Sequence, residues 1–270
     1  EPWGVAIADV DGDGHPDLVS SNSGVDGSEF PPIELPGSVS VLRSNGQGGF
    51  EPALQIDLED PGRAHAVAVA DLTADGHADI AVTQNNGNVA TLLVVNGDGG
   101  FDTRLVRPTG HQPGPLTIAD VTGDGRPDIV AGNSESISIL PSDGAGDVGF
   151  PGRLAAGAVP FAVAAGDLDE GTRPVLLIVN SVDGTVSVRL GDGTRSPTAA
   201  GIHAVGGNPT SIATGDLDGD GHADAVTADF EQWVAMGAPA PRTSEEVVDD
   251  GAPQKDPRDH WSPKPPVKPA

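Results

Sequence analysis

Short apolar runs, separated by turns rich in Asp and Gly, fill most of the chain. One kind of run precedes an Asp-rich loop (67–70, 116–119), and a second follows it (80–83, 129–131, 176–179). In a third kind, apolar and small polar residues alternate (38–42, 136–140, 185–190), and a less regular fourth follows (54–58, 104–106). A period of two bounded by Gly, Asn and Asp predicts β-strands, and the lack of a sustained 3.6-residue period predicts little or no helix.

This pattern is a repeat. The segment VAIADVDGDGHPDLVS at residues 5–20 returns as VADLTADGHADIAV at 69–82 and as IADVTGDGRPDIV at 118–130. A weaker copy begins at residue 165 and a strong one at residue 214. The leading aspartates, which are 62, 49, 47 and 49 residues apart, are Asp9, Asp71, Asp120, Asp167 and Asp216. The first spacing exceeds 49 by 13 residues, and we interpret the Pro-, Gly- and Ser-bearing stretch 24–36 as a loop insertion.

Four short strands in a unit of about 49 residues correspond to one propeller blade. The sequence therefore predicts an all-β propeller of four-stranded blades over residues 1–240, with five recognisable repeats. The fifth repeat loses its pattern after residue 236, so two interpretations stay open: a ring with an incomplete last blade, or part of a larger ring. Residues 241–270 are rich in Pro and hold all three lysines, and we expect a disordered tail.

The Asp-rich loops predict calcium sites. Oxygen-bearing side chains stand at loop positions 1, 3, 5 and 9, the backbone carbonyl of position 7 is available, and Gly at position 6 permits the turn around the ion. The predicted ligands are Asp9, Asp11, Asp13, His15 and Asp17 in the first loop; Asp71, Thr73, Asp75, His77 and Asp79 in the second; Asp120, Thr122, Asp124, Arg126 and Asp128 in the third; and Asp216, Asp218, Asp220, His222 and Asp224 in the fifth.

The loops differ in the number of carboxylates. Thr at position 3 removes one charge, so the second and third sites should bind calcium more weakly than the first and fifth. The fourth loop keeps Asp167 and Asp169 but has Gly171 at position 5 and Val175 at position 9, and we predict that it binds no ion. About four calcium ions are expected. The acid at position 9 and the flanking strands exclude an EF-hand.

The composition excludes several classes of function for the chain. The chain has 40 acidic and 14 basic side chains, a formal charge of −26 and no Cys. Nucleic-acid binding through a basic surface, disulfides and thiolate chemistry are thereby excluded. No apolar run approaches the roughly 18 residues of a membrane span, so membrane insertion is not expected. No GxSxG, HExxH or phosphate-loop motif occurs, and we predict no enzymatic activity and no catalytic residue.

The alternation of the Asp loop with segments such as NGQGGF (45–50) and NGDGGF (96–101) resembles FG-GAP/VCBS-type repeats, including the calcium-binding blades of integrin α-chains. The resemblance covers residues 3–237, although much of that family has seven repeats. It implies structural calcium, a secreted or cell-surface location, and a binding or adhesion module for a glycan or an extracellular protein. The alternatives are the propeller portion of a secreted polysaccharide lyase or hydrolase, and a pure scaffold.

Two expectations concern aromatic residues. Phe50, Phe101 and Phe150 recur at one repeat position, so they are expected to pack between strands or blades. Trp3 and Trp233 are expected to pack in the core or at the seam of the ring. With three Trp and no Tyr, aromatic sugar platforms are poorly supported.

Overall fold

The computed structural model describes residues 1–26, 33–34, 36–58, 62–96, 100–166, 168, 174–191, 197–216 and 224–228. They belong to one compact unit, Glu1–Asp229; the second unit, Phe230–Ala270, lies outside the described residues, and so do the predicted tail and Trp233. Every regular element in the described part is a β-strand.

The first ten strands are β1 (Pro2–Ala8), β2 (Asp17–Asn22), β3 (Val25–Asp26), β4 (Ile33–Glu34), β5 (Ser38–Leu42), β6 (Leu54–Asp57), β7 (Ala64–Ala70), β8 (Asp79–Gln84), β9 (Val89–Val95) and β10 (Phe101–Pro108). The others are β11 (Leu116–Ala119), β12 (Asp128–Gly132), β13 (Ser136–Leu140), β14 (Gly152–Ala155), β15 (Pro160–Gly166), β16 (Val175–Asn180), β17 (Thr185–Leu190), β18 (Thr198–Ala204), β19 (Ser211–Gly215) and β20 (Asp224–Ala228).

These strands form four antiparallel, four-stranded sheets, one for each of the first four repeats. Blade 1 has the order β1-β2-β5-β6, and blades 2, 3 and 4 contain β7–β10, β11–β14 and β15–β18 in sequence order. Blade 5 is described only through the antiparallel pair β19–β20. The predicted four-strand unit is therefore found four times. The first strands of successive blades contact one another, from β1 through β7, β11 and β15 to β19, and such strands line the axis of a propeller.

Each blade has two different faces. The first face packs against the preceding blade and carries, in blade 2, Val67, Ile80 and Leu93. The second face packs against the following blade and carries, in blade 1, Val19, Val39 and Val41. Three further clusters join blade 2 to 3, 3 to 4 and 4 to 5 in the same way. Apolar burial between blades is therefore the main stabilising contact of the fold.

The first strands of blades 1 and 2 show why the faces differ. Larger side chains stand four and two residues before the leading Asp, and these are Val5 and Ile7 in blade 1 and Val67 and Val69 in blade 2. Small residues stand five, three and one before it, as in Gly4, Ala6 and Ala8 of blade 1. A Cβ on Gly4 would lie 3.1 Å from the backbone nitrogen of Val67, so the small side allows the next strand to approach closely.

A buried or half-buried polar ladder crosses each of the first four blades at the end of its second strand. In each of these blades an Asn or Gln stands near the end of the second strand, five residues after position 9 of the Asp loop. Its side-chain amide makes hydrogen bonds with Ser or Thr hydroxyls of the third strand. Asn22 Nδ2 donates to Ser38 and Ser40, and Asn180 Nδ2 donates to Thr185 and Ser187. The other ladder residues, Gln84 and Asn133, bond to Thr91 and to Ser136 and Ser138. The Ser-x-Ser alternation of the third strand therefore satisfies a buried amide.

Three details differ from the sequence-based expectations. The predicted loop insertion at 24–36 contains a small antiparallel ribbon, in which Val25 pairs with Glu34. Phe101 packs on the first core cluster as expected, but Phe50 and Phe150 are 48% and 74% exposed, so their predicted packing role is wrong. Trp3 is 59% exposed and touches the ring of His65 at a centroid distance of 4.9 Å, so it is not a core residue.

The hairpin between the third and fourth strands closes around one polar side chain. In blade 3, Asp143 Oδ1 accepts hydrogen bonds from the amides of Ala145 and Asp147, at 2.7 and 3.0 Å. In blade 1, Asn45 Oδ1 accepts equivalent bonds from Gln47 and Gly49, at 2.9 and 3.0 Å. The two amide bonds hold the pKa of Asp143 below its usual value.

We expect Asp143→Ala to lower the free energy of unfolding by about 0.5–1.5 kcal/mol, because two turn amides lose their acceptor. Asp143→Asn should cost less than half of that, since the Asn45 hairpin shows that an amide oxygen fills the same role. Urea denaturation of the two variants measures the difference. Equal losses would show that the charge, rather than the oxygen position, matters.

Candidate metal centre

The first Asp loop brings three carboxylates together between β1 and β2. One oxygen each of Asp9, Asp11 and Asp17 lies within 4.8 Å of the others, and among the described residues this is the one group of three acidic or imidazole side chains that meets that distance. Asp13 is exposed, and its Oδ1 accepts the amide of His15 at 2.8 Å. Three converging carboxylates, with a fourth at Asp13 and the backbone carbonyl of position 7 nearby in the loop, are the kind of oxygen donors that suit calcium.

The leading aspartate shapes the loop through the backbone. Asp9 Oδ1 accepts the amide of Gly12 and Oδ2 accepts that of Gly14, both at 2.8 Å. Asp71 and Asp120 accept equivalent amide bonds in the second and third loops. Gly14 has a φ of 86°, which is costly for other residues, so Gly at position 6 is required by the turn. Each carboxylate keeps lone pairs for an ion.

The aspartate at position 9 is fully buried and acts as a clamp. Asp17 accepts the amide of Val10 on one oxygen, at 3.0 Å, and the amide of Ser44 on the other, at 2.8 Å. Ser44 follows the third strand of the blade, so the clamp ties the loop to a second hairpin. The sequence predicted Asp17 only as a calcium ligand. Its second role, as the acceptor of backbone amides, involves Ser44, which lies 27 residues away along the chain.

The same clamp recurs in the next two loops. Asp79 accepts the amides of Leu72 and Val95 at 2.9 and 3.0 Å. Asp128 accepts the amides of Thr122 and Ser142 at 2.9 and 3.3 Å. Position 5 is exposed in both loops, where Asp75 and Asp124 each accept the amide two residues on. The three loops therefore share one backbone design.

The Thr-bearing loops have a donor set that fits an ion less strongly. Thr73 Oγ1 donates a hydrogen bond to Asp71 Oδ1 at 3.4 Å, and the Thr122 side chain hydrogen-bonds to Asp128. A hydroxyl at position 3 keeps lone pairs that calcium could contact. The residues present thus fit the predicted cation in the first loop. The three aspartates of the second loop and those of the third are described but do not converge within the same distance.

The remaining two loops lie largely outside the described residues. In the fifth, Asp216 and Asp224 are described at the ends of β19 and β20, but Asp218, Asp220 and His222 are not. In the fourth, neither Asp167 nor Asp169 is described. The expectation that the fifth loop binds calcium and the fourth does not stays a prediction.

Comparison with known families accounts for nearly the whole repeat region. A model of the FG-GAP-like repeat matches residues 33–82, 75–131, 120–170 and 175–227, and a model of the FG-GAP repeat matches residues 2–42. The chain belongs to the FG-GAP repeat family. Both the resemblance inferred from the loops and the all-β propeller built from four-stranded blades are confirmed.

A solved structure supports the fold of this FG-GAP chain. A lectin of Agrocybe aegerita that recognises non-reducing terminal N-acetylglucosamine superposes with a TM-score of 0.55 at 20% sequence identity. The match covers 83% of the FG-GAP chain but 60% of the lectin. At this identity the likeness shows the propeller fold alone.

No curated protein matches this FG-GAP chain in sequence. Within the described residues there is no helix with the length and apolar character of a membrane span.

Burial disfavours the ionised form of two of the FG-GAP clamp residues, Asp79 and Asp128. Desolvation is the main cause that raises the pKa of Asp79 and of Asp128 above 3.8, and the amide bonds that each receives oppose it. Desolvation is also the main cause of the raised pKa of Asp11, to which the neighbouring charges of Asp17 and Asp13 add. A divalent cation would supply the missing stabilisation of these charges.

These shifts predict opposite pH dependences with and without calcium. A raised pKa means that the folded chain binds more protons than the unfolded chain, so in chelator the stability contributed by Asp79 and Asp128 should fall as pH rises above 3.8. Calcium requires the ionised carboxylates, so its stabilising effect should grow over the same range. Urea denaturation in both buffers tests this; parallel pH profiles would contradict it.

Proposed function

We propose that this FG-GAP chain is a non-catalytic, calcium-stabilised binding module of the cell exterior that recognises a glycan. The observation that carries the calcium part is the first loop, where carboxylates converge within 4.8 Å on a backbone turn repeated in two further loops. About four ions are expected per chain, held by the loops of repeats one, two, three and five.

The calcium ions have a structural role in this proposal. Each loop joins the first two strands of a blade, and the clamp at position 9 ties it to the hairpin after the third strand. An ion bound there would neutralise clustered carboxylates in a chain whose formal charge is −26. Acid loops of this size match the high calcium concentration outside cells, which supports an extracellular location.

Recognition of a glycan is supported by the propeller fold that the chain shares with an N-acetylglucosamine-binding lectin. Such sites combine an apolar surface with a few polar groups. A protein partner is the second binding candidate. The enzymatic alternative, a portion of a polysaccharide lyase or hydrolase, has no catalytic motif in the sequence to favour it.

Counting the ions tests the calcium part directly. Isothermal titration of the chelator-treated protein should give about four calcium ions per chain, in two affinity classes: two ions that bind more tightly and two that bind more weakly. Asp13→Ala should remove one of the tighter ions, and Asp169→Ala in the fourth loop should remove none. A stoichiometry of one or none would overturn the assignment.

The glycan part is tested on an array of glycans and polysaccharides probed in calcium and in chelator, followed by product analysis of every hit. We expect binding that chelator weakens and no new reducing or unsaturated ends. Turnover would support the enzymatic alternative. Silence on the array would favour a protein partner and refute glycan recognition.

A further inference from the structure

Arg43 lies beside the converging carboxylates of the first Asp loop. Its Nε is 3.9 Å from Oδ2 of Asp11, and 27% of the Arg43 side chain and 17% of the Asp11 side chain are exposed. The other oxygen of Asp11 accepts the amide of Asp13 at 3.3 Å. Both oxygens of Asp11 are therefore engaged, and Arg43 places a positive charge at the edge of the predicted calcium site.

The clamp identifies the position of Arg43 in the next two blades. In blades 1, 2 and 3, the second amide that the clamp aspartate accepts belongs to Ser44, Val95 and Ser142. The residues directly before these three are Arg43, Val94 and Pro141. A cation therefore stands at this position in blade 1 but not in blades 2 and 3.

Position 3 of the Asp loop changes together with this position. It is Asp11 in blade 1, where Arg43 is present, and Thr in blades 2 and 3, where the cation is absent. The two positions are neighbours in blade 2 as well, since a Cβ on Gly146 would lie 3.5 Å from Thr73 and 3.7 Å from Val94. The additional carboxylate of the first loop thus comes with a basic side chain next to it.

The first loop is also the one in which the carboxylates converge. One oxygen each of Asp9, Asp11 and Asp17 lies within 4.8 Å of the others, and the described aspartates of the second and third loops do not meet that distance. Carboxylates this close repel one another, and a neighbouring cation offsets the repulsion. Desolvation and the charges of Asp17 and Asp13 raise the pKa of Asp11, and the charge of Arg43 opposes that rise.

We propose that Arg43 is a built-in counter-ion of the first Asp loop, which holds the carboxylates together before calcium binds and then competes with the ion for Asp11. The inference rests on the calcium site proposed above and adds a residue that does not ligate the ion but sets how tightly it is bound. Because a fixed positive charge repels calcium, the first site should bind the ion more weakly than its four carboxylates alone would allow. The same charge should keep the loop formed when calcium is absent.

Removing the charge of Arg43 should have opposite effects without and with calcium. Arg43→Met keeps most of the aliphatic stem and loses the guanidinium. In chelator its melting temperature should fall by about 2–4 °C, because the clustered carboxylates lose their neighbouring cation. In isothermal titration its first site should bind calcium about tenfold more tightly, because a like charge has left the site. Arg43→Lys keeps the charge and should resemble the wild type in both measurements.

Two further backgrounds show whether the effects belong to Asp11 and to the first ion. In Asp11→Thr, the change Arg43→Met should lower the melting temperature in chelator by less than half as much as it does in the wild type. In Asp13→Ala, which is predicted to lose the first ion, Arg43→Met should leave the calcium titration unchanged. Arg153→Met is the matched control: it removes one positive charge from an exposed residue that donates to the carbonyl of Thr109 at 3.0 Å, and it should not change the calcium affinity.

A wild type that binds calcium, together with an Arg43→Met variant that binds it no more tightly, would overturn the counter-ion role and leave the calcium site in place. An equal gain in affinity in Arg153→Met would show an effect of net charge and would also overturn the role. So would an equal loss of melting temperature in the Asp11→Thr background, since Arg43 would then act through packing. A wild type that binds no calcium would overturn both the role and the proposed site.

Discussion

Asp79→Ala is expected to lower the free energy of unfolding by about 2–4 kcal/mol, even in chelator. The side chain is fully buried, and its two oxygens accept the amides of Leu72 and Val95. Removing it leaves two buried amides without acceptors, which costs about 1–3 kcal/mol for each amide. Part of this cost is recovered because the variant no longer has to desolvate a buried carboxylate. Urea denaturation in chelator measures the loss.

Asp75→Ala is the matched control for this prediction. Asp75 belongs to the same loop and to the same predicted calcium site, but it is exposed and accepts only the amide of His77 among the described contacts. In chelator its loss should cost less than about 1 kcal/mol. In calcium both variants should lose the contribution of the ion. Equal losses in chelator would contradict the clamp role of Asp79.

Chelation of calcium should lower the melting temperature of the wild type by more than about 10 °C. An ion present at 100 times its dissociation constant stabilises the folded state by about 2.7 kcal/mol per site. For a domain of this size 1 kcal/mol corresponds to about 2–4 °C, so three or four occupied loops add to a large shift. Differential scanning calorimetry with and without chelator measures it.

The fourth loop supplies the control for the chelation experiment. Asp13→Ala should reduce the calcium-dependent part of the shift, because Asp13 belongs to a loop with four carboxylates. Asp169→Ala should leave that part unchanged, since its loop is predicted to hold no ion. If chelator leaves the melting temperature of the wild type unchanged, the calcium assignment is wrong. If the two variants change the calcium-dependent shift equally, the assignment of the individual sites is wrong.

The repeat made most of the fold predictable. Alternation in the third strand and glycines in the turns identified the four-strand unit, and the loop spacing placed the carboxylates of Asp9, Asp11 and Asp17 close together. Those features are local, because each depends on residues within one strand or one turn. Such local patterns predict the strands and turns correctly because these elements do not depend on which residues the neighbouring blade places against them.

The clamp could not be predicted in the same way. The second amide bound by Asp17 belongs to Ser44, and that of Asp128 belongs to Ser142, both on another hairpin. Position 9 is Asp in four loops, but position 5 is Asp in the same four loops, so the sequence does not distinguish the buried clamp from an exposed ligand.

The aromatic residues were misassigned for a related reason. A repeat position fixes where Phe101 and Phe150 stand within a blade, but their burial depends on what another element places opposite them. Phe101 meets the first core cluster, while Phe150 remains mostly exposed. Trp3 contacts only the ring of His65 in blade 2 among the ring contacts of the described residues, and it stays mostly exposed.

The two unlike faces of each blade also bear on how such proteins change in length over evolution. A duplicated unit carries both a first face and the second face that matches it, so it can be inserted between two existing units and satisfy both of its new neighbours. A deleted unit leaves behind the same pair of matching faces. Gain or loss of a whole repeat therefore requires no compensating change in the core, whereas insertion or deletion of one residue within a strand moves its side chains to the other face and breaks both junctions.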